Sequence, residues 1–347
     1  MIKTNNLSLI IDFLQENPDQ SSKEIFEQSN YSKSYSSLKR DLSQLVEDKL
    51  LATQGNGKST TYSISATYIL FCPINMEKYF QLEADYRKIK RSFNFELIPD
   101  ILNFVSIFNH DELTKLEELQ IKFEGNLSKL SNVLYTKEME RLAIDLSWKS
   151  SQIEGNTYSL LETERLLKEK LTAEGKSKDD AVMLLNHKEA IDFILQHPDF
   201  LQPLSVNRIE DIHSILIKEL GVDRNIRTGL VRISGTNYTP LDNEFQIREA
   251  LYEMCRMINK KESVFEKSFL ALILLSYIQP FVDGNKRTAR IVCNALLIAK
   301  NYCPLSFRTV DSLNYKKAML VFYEQNNLQP MKQIFIDQYQ FAVENYF

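Results

Sequence analysis

Two apolar segments of helical character, residues 269–277 and 291–299, are separated by a short polar loop. A turn formed by Asp283, Gly284 and Asn285 interrupts the helical periodicity between them. The sequence therefore predicts a helix-loop-helix, and the loop carries most of the chemistry that can be recognised in the chain.

The loop has the composition of an anion site. Gly284 lets the backbone turn its N–H groups inward, and the positive end of the following helix adds to them. Arg287 and Arg290 are three residues apart, which places two guanidinium groups on one face of that helix. Asp283 is suited to hold Mg²⁺ beside the anion, since this cation takes few protein carboxylates when phosphates share it. A capped helix with two solvated arginines is the alternative interpretation.

The loop sequence, Gln-Pro-Phe-Val-Asp-Gly-Asn-Lys-Arg-Thr-Ala-Arg, resembles the signature of the Fic (Fido) family. That signature is His-Pro-Phe-x-Asp/Glu-Gly-Asn-Gly/Lys-Arg-x-x-Arg, and only its first position differs here. The resemblance implies a mainly α fold, a Fic-type helical bundle with a small β-hairpin flap. It also implies transfer of AMP from ATP, with Mg²⁺, to a Ser, Thr or Tyr hydroxyl of a target protein or of the chain itself.

The resemblance assigns roles to individual loop residues. The catalytic positions are Gln279, Asn285 and Arg287, and the metal position is Asp283. The positions assigned to ATP are Gly284, Asn285, Lys286, Arg287, Arg290 and Tyr315. The related Doc toxin also has a lysine at the position of Lys286 and transfers phosphate, so AMP transfer and phosphate transfer both stay open.

Gln279 stands where the family has its histidine base. An amide accepts no proton at neutral pH, whereas general-base assistance contributes about 10²–10⁴-fold in rate. We therefore predict an AMP transferase scaffold that binds ATP and transfers AMP weakly or not at all. A base elsewhere, a different substrate or a substitution introduced for study would also account for the glutamine. The alternative function is an ATP-binding pseudoenzyme or a transcription-type regulator.

A second segment resembles the inhibitory motif of one Fic subgroup, Ser/Thr-x-x-x-Glu-Gly/Asn, which lies N-terminal to the Fic core. Its residues here are Ser150, Glu154 and Gly155, at the end of a helix-compatible stretch. By resemblance, Glu154 pairs with Arg290 and withdraws it from the γ-phosphate of ATP. From this segment alone, an ordinary surface glutamate before a glycine stop is the alternative.

Residues 227–247 contain two short β-prone runs around Ser234-Gly235, which predict a hairpin. In the Fic family a flap here docks the target by main-chain pairing, and the resemblance assigns this role to Val231, Ile233, Gly235 and Thr236. A structural hairpin that covers an apolar edge is the alternative.

The N-terminal part predicts three helices, residues 7–15, 22–28 and 35–47, followed by a hairpin of residues 50–53 and 60–64. This order resembles a winged helix-turn-helix domain. Its charge over residues 1–66 is −1, from seven basic and eight acidic residues, which is a weak electrostatic footprint for DNA. Basic and hydroxyl residues nevertheless cluster at the third helix, so DNA binding and a protein-contact or homodimer role both stay open.

Length and composition set the frame. The 347 residues, 44% hydrophobic with a net charge of −4, predict a soluble cytoplasmic protein with no attraction to membranes. The predicted domains are residues 1–66 (winged helix), 67–137 (helical connector) and 138–347 (Fic domain with its inhibitory helix). Helices are expected at 76–91 and 111–134 of the connector. The four cysteines lack metal-site spacing and are expected to be reduced thiols.

Overall fold

The computed structural model describes residues 5–347, and its fold is mainly helical with one small antiparallel sheet, which confirms the predicted fold class. The described residues form two compact units. One contains the residues up to Ile74 together with Gln325–Gln329, and the other contains Asn75–Glu324 and Pro330–Phe347. This division differs from the predicted one, because residues 67–137 are not a unit of their own.

The reason for the difference is visible at both ends of the predicted connector. In the first unit, the side-chain amide of Asn327 donates to the carbonyl oxygens of Ile69 (2.7 Å) and Cys72 (2.8 Å). In the second unit, Phe108 packs edge-on against Phe269, with ring centroids 5.7 Å apart. Side-chain contacts with distant parts of the chain, rather than local sequence, therefore place each half of the connector.

The first unit has the element order helix, strand, helix, helix, strand, strand, helix. Its elements are α1 (Asn5–Glu16), β1 (Gln20–Ser21), α2 (Ser22–Gln28), α3 (Tyr35–Glu47), β2 (Leu51–Gln54), β3 (Thr61–Ile64) and α4 (Ala66–Phe71). The sheet order is β1-β3-β2, with both pairs antiparallel. The three predicted helices and the predicted hairpin are present, whereas the two-residue β1 was missed.

The boundaries of these helices follow from capping and burial. Ser21 and Ser34 accept hydrogen bonds at the starts of α2 and α3. Leu38, Leu42 and Leu45 lie on one side of α3 and are fully buried in the core of this unit. The helical spacing of these leucines therefore fixes which face of α3 stays at the surface.

The second unit contains eleven α-helices within the described residues. They are α5 (Met76–Phe80), α6 (His110–Leu127), α7 (Asn132–Ile153), α8 (Leu160–Glu169), α9 (Lys178–Gln196), α10 (Val206–Leu216), α11 (Glu244–Lys260), α12 (Val264–Ile278), α13 (Asn285–Ile298), α14 (Ser312–Gln325) and α15 (Gln329–Tyr346). The pair α12 and α13 lies at its centre and packs against α7, α9, α10 and α11. Every side chain of α12 from Ser268 to its end is buried. The predicted helix-loop-helix is therefore the core of this unit.

Two helix predictions in the connector were only partly right. Residues 76–91 form an α-helix only over α5, because Arg87 and the N–H of Lys90 bind Glu324 instead. The periodicity of residues 111–134 crosses a break after α6, where Ser131 caps the next helix. In both places a hydrogen bond with another part of the unit or a new cap outweighs local propensity.

Two findings concern composition. None of the helices in residues 5–347 combines the length and the apolar character that crossing a membrane requires. All four cysteines are free thiols, and three of them are buried.

Candidate active site

Gly284 allows the loop to turn tightly between α12 and α13. Its φ is +77°, in the left-handed region that favours glycine. A Cβ here would also lie 3.2 Å from Cε1 of His213 and 3.3 Å from Ile217. Both the conformation and the space therefore require glycine, and α13 begins at the next residue.

Asn285 holds the loop in place. Its Nδ2 donates to the backbone oxygen of Phe281 (2.8 Å) and to Oε1 of Gln279 (3.0 Å), and its Oδ1 accepts from the N–H of Phe281 (2.8 Å). The Phe281 ring stacks on the His213 imidazole, with centroids 3.6 Å apart. The loop is therefore a rigid turn that hydrogen bonds and ring stacking both support.

Gln279 ends α12 and has both polar ends of its side chain bound. Its φ is +51°, its Nε2 donates to the carbonyl oxygen of Ser276 (2.6 Å), and its Oε1 accepts from Asn285. The residue is 8% exposed. The amide therefore reinforces the end of the helix, and it offers no group that accepts a proton.

Arg287 lies under the loop with its side chain 1% exposed. Its Nη2 donates to Asp283 Oδ2 (2.9 Å) and its Nη1 to the carbonyl oxygen of Leu216 (3.4 Å). Its Nε has no hydrogen-bond partner among the described residues. Burial lowers the pKa of Arg287, although Asp283 and Glu154 oppose this. An unpaired donor on a buried cation is a suitable partner for an anion.

Arg290 is fully buried and is bound by the end of α7. Its Nη2 donates to Glu154 Oε1 (2.8 Å) and to the carbonyl oxygen of Ser150 (2.9 Å), and its Nε donates to Ser150 Oγ (2.8 Å). The ring of Tyr315 packs under the guanidinium, with its centroid 5.5 Å from the guanidinium carbon. The predicted pair of Glu154 and Arg290 is thus present, and Ser150 supports it.

Glu154 is kept ionised by two cations. Burial alone would raise the pKa of its carboxyl group, but Arg290 and Lys286 lower it to about 2. Lys286 Nζ donates to Glu154 Oε2 at 3.2 Å. Gly155 follows with a φ of +103°, so the predicted glycine stop after α7 is confirmed.

Tyr315 does not lie where the resemblance to nucleotide-binding positions suggests. It is fully buried between Arg290 and Phe307, and no part of its ring is open to a ligand in this structure. Its observed contact is with the guanidinium that Glu154 holds. An adenine contact through Tyr315 therefore requires Arg290 to move first.

Sequence reasoning missed the role of His187. Its Nε2 lies 2.7 Å from Ser150 Oγ, which also accepts from Arg290. Burial and the nearby Arg290 and Arg287 hold the pKa of His187 well below its usual value, so the imidazole is neutral. Nothing in the sequence around His187 points to this contact, because it joins residues 37 positions apart.

The predicted flap contains the expected turn at Ser234-Gly235, but the hairpin prediction was wrong in one respect. The runs on either side of the turn do not pair with each other within the described residues, and only Thr239 bridges to Ser92. The physical reason is that other residues take the backbone groups of the flap. Val231, Ile233, Gly235 and Thr236 lie on this open segment, and all four are at least partly exposed.

Arg227 and Arg87 fix the two ends of the flap, and neither was singled out for this role from sequence. At the base, the buried Arg227 donates to the carbonyl oxygens of Gln279 and Gly229. At the tip, Arg87 donates to the carbonyl oxygen of Gly235 while its ion pair with Glu324 (2.8 Å) holds it. Backbone carbonyls carry no side-chain signature, so these contacts leave no pattern in the sequence.

The predicted metal position is a single carboxylate. The side chain of Asp283 is 61% exposed and binds Arg287. The described residues contain no group of three or more His, Cys, Asp or Glu side chains that are placed to hold a metal ion. One exposed carboxylate fits Mg²⁺ only if phosphates supply further ligands, which is the usual coordination of this ion beside a nucleotide.

Comparison with known proteins agrees with this geometry. The model of the Fic/DOC family matches residues 203–297, which include α10 to α12 and nearly all of α13. Protein adenylyltransferase Fic of Nematostella vectensis is 28% identical over 174 residues, which are 48% of this chain and 40% of that protein. Protein adenylyltransferase Fic of Drosophila sechellia is 30% identical over 166 residues, which are 46% of this chain and 33% of that protein. The matched region therefore spans two fifths or less of the length of these curated relatives.

The fold has a solved counterpart. A fragment of Fic-1 from C. elegans superposes with a TM-score of 0.59 at 20% sequence identity, covering 68% of this chain and 72% of that chain. At this identity the likeness concerns the fold alone. Together with the match over residues 203–297, it shows that the chain contains a domain of the Fic/DOC family.

Proposed function

We propose that this protein is an AMP transferase of the Fic type that is held in an auto-inhibited state and lacks its general base. The single observation that carries the proposal is the contact of Glu154 and Ser150 with Arg290 beside the loop. A buried guanidinium that a carboxylate occupies on the open side of an anion site is a group withheld from a phosphate. The curated relatives named protein adenylyltransferase support the same reaction.

The substrate that fits the loop is ATP. The start of α13 at Asn285 presents its backbone N–H groups and its positive end, and Arg287 has an unpaired buried donor. Mg²⁺ carried by the phosphates would meet Asp283 at the rim of the loop. When bound, the metal ion would neutralise phosphate charge.

In the proposed reaction the hydroxyl oxygen of the target forms a bond to the α-phosphorus of ATP, and the bond to pyrophosphate breaks. The hydroxyl proton must leave, and Gln279 cannot take it, so water is the acceptor and the rate is low. Positioning by the loop and the charges of Arg287 and Arg290 remain. The protein target would dock on the open backbone of the flap around Val231 and Ile233, where no strand is paired.

Glu154→Gly is expected to turn a chain with little activity into one that binds ATP and transfers AMP slowly, because Arg290 becomes free. The chain and the variant are incubated with Mg²⁺ and with ATP labelled at either the α- or the γ-phosphorus. The proposal expects protein-bound α-label in the variant. Protein-bound γ-label without α-label would instead show phosphate transfer, and the absence of ATP binding by Glu154→Gly would refute the nucleotide site.

A second function, DNA binding by the first unit, is favoured by one observation. The helices α1 to α3 and the β1-β3-β2 sheet follow each other in the order of a winged helix-turn-helix domain. The exposed side of α3 carries Lys39 and Arg40, while the carboxylate of the neighbouring Asp41 is bound by the hydroxyl of Tyr31 (2.6 Å). The local surface is thus more basic than the unit as a whole.

The full chain is expected to bind a fluorescent DNA duplex of about 30 base pairs at about 50 mM salt and to lose affinity as salt rises to about 200 mM. Reversal of the charges, Lys39→Glu with Arg40→Glu, should abolish the anisotropy change. Lys23→Glu is the matched control, because Lys23 is an exposed cation on α2. Equal loss in both variants, or no binding at the lower salt concentration, would rule out a DNA surface on α3.

A further inference from the structure

Glu154 is bound by two cations through different oxygen atoms. Arg290 Nη2 lies 2.8 Å from Oε1, and Lys286 Nζ lies 3.2 Å from Oε2. The arginine is fully buried, whereas the lysine side chain is 23% exposed. The carboxylate is therefore held from inside the fold by Arg290 and from the solvent side by Lys286.

The position of Lys286 makes its charge costly unless an anion is near. It is the second residue of α13, and a cation in the first turn of a helix opposes the helix dipole. Glu154 offsets this cost in the observed state. If Glu154 leaves, Lys286 remains beside the N–H groups of the loop without its anion, and a phosphate group is the ligand that the same loop is built to accept.

We infer that Lys286 exchanges its anion during activation: it holds Glu154 against Arg290 in the resting state and binds the triphosphate once Glu154 has left. This inference rests on the proposed function, because it takes ATP as the incoming ligand. It gives Lys286 two opposite effects on ATP affinity. In the resting chain Lys286 opposes ATP by retaining Glu154, and in the released chain it favours ATP by direct attraction.

A lysine that only stabilises the fold would not behave in this way. Its removal would change ATP affinity in the same direction, or not at all, whether or not Glu154 is present. The sign of the effect in the two backgrounds therefore separates exchange from a structural ion pair. Ion pairs of this exposure are worth up to about 1 kcal/mol, which corresponds to about fivefold in affinity.

The experiment is a calorimetric titration of Mg²⁺ and ATP into four chains: the unaltered chain, Lys286→Met, Glu154→Gly and the double variant. Lys286→Met is expected to tighten ATP binding by about fivefold in the unaltered chain and to weaken it by about fivefold in the Glu154→Gly background. Lys261→Met is the matched control. Lys261 forms a partly buried ion pair with Glu266 (3.5 Å) near the other end of α12, so its removal should leave both affinities unchanged.

Two outcomes would overturn the inference in different ways. If Glu154→Gly binds ATP but Lys286→Met acts in the same direction in both backgrounds, or has no effect, the exchange is wrong while the proposed function stands. If Glu154→Gly does not bind ATP at all, the proposed function fails, and the exchange fails with it.

Discussion

Gln279→His, introduced into a chain that already carries Glu154→Gly, is expected to raise the rate of AMP transfer by about 10²–10⁴-fold. The reason is that an imidazole accepts the hydroxyl proton that the amide of Gln279 cannot take. The loop is already shaped for this substitution, since Asn285 donates to the Gln279 side chain and an imidazole nitrogen can accept the same hydrogen bond. The measurement is the initial rate of α-label incorporation at saturating ATP.

Gln279→Asn in the same background is the control, because it keeps an amide and removes one methylene group. It should show no gain. With histidine present, the rate should also fall as the pH drops below the ordinary histidine pKa of about 6.5, since the base must be neutral. A gain of less than about tenfold, with ATP affinity unchanged, would show that general-base catalysis at position 279 does not limit the reaction.

Arg290→Met is expected to destabilise the second unit by about 3–5 kcal/mol, because it leaves Glu154 with Lys286 as its remaining cation partner. It also removes the hydrogen bond that Arg290 Nε donates to Ser150 Oγ. Trp148 is the only tryptophan of the chain and lies on α7, close to Ser150, so its fluorescence reports unfolding of this part during urea titration.

Arg290→Met combined with Glu154→Gln should recover most of that loss, because no buried charge is then left unpaired. A double variant as unstable as Arg290→Met alone would mean that the guanidinium acts through Ser150 rather than through Glu154.

The pH dependence of stability follows from the lowered pKa of Glu154, about 2 in the folded chain. A carboxyl group with a depressed pKa stabilises the fold above its unfolded pKa of about 4.3 and loses this contribution as the pH falls towards the folded value. The difference in unfolding free energy between the unaltered chain and Glu154→Gln should thus be constant from about pH 8 to about pH 5.5 and shrink below about pH 4. Urea titrations across this range measure it, and a difference that does not change with pH would contradict the assignment.

Much of the fold was predictable where periodicity and caps are strong. The serine cap and the spaced leucines of α3 indicated its limits, and the apolar run before Gln279 indicated the buried end of α12. The prediction failed for residues 76–91, where a helix-prone composition lost to the buried ion pair of Arg87 with Glu324. It failed again at the flap, whose backbone groups bind Arg227 and Arg87 instead of each other.

The sequence by itself determined the loop and its missing base, because glycine, asparagine and arginine at fixed spacing impose a turn and a charged helix start whatever surrounds them. It also supplied Glu154 as a candidate inhibitor. Only the tertiary structure decided that Lys286 shares this carboxylate, that His187 supports Ser150 and that Tyr315 lies under Arg290. These contacts join residues far apart in the chain, and packing rather than any local pattern brings them together.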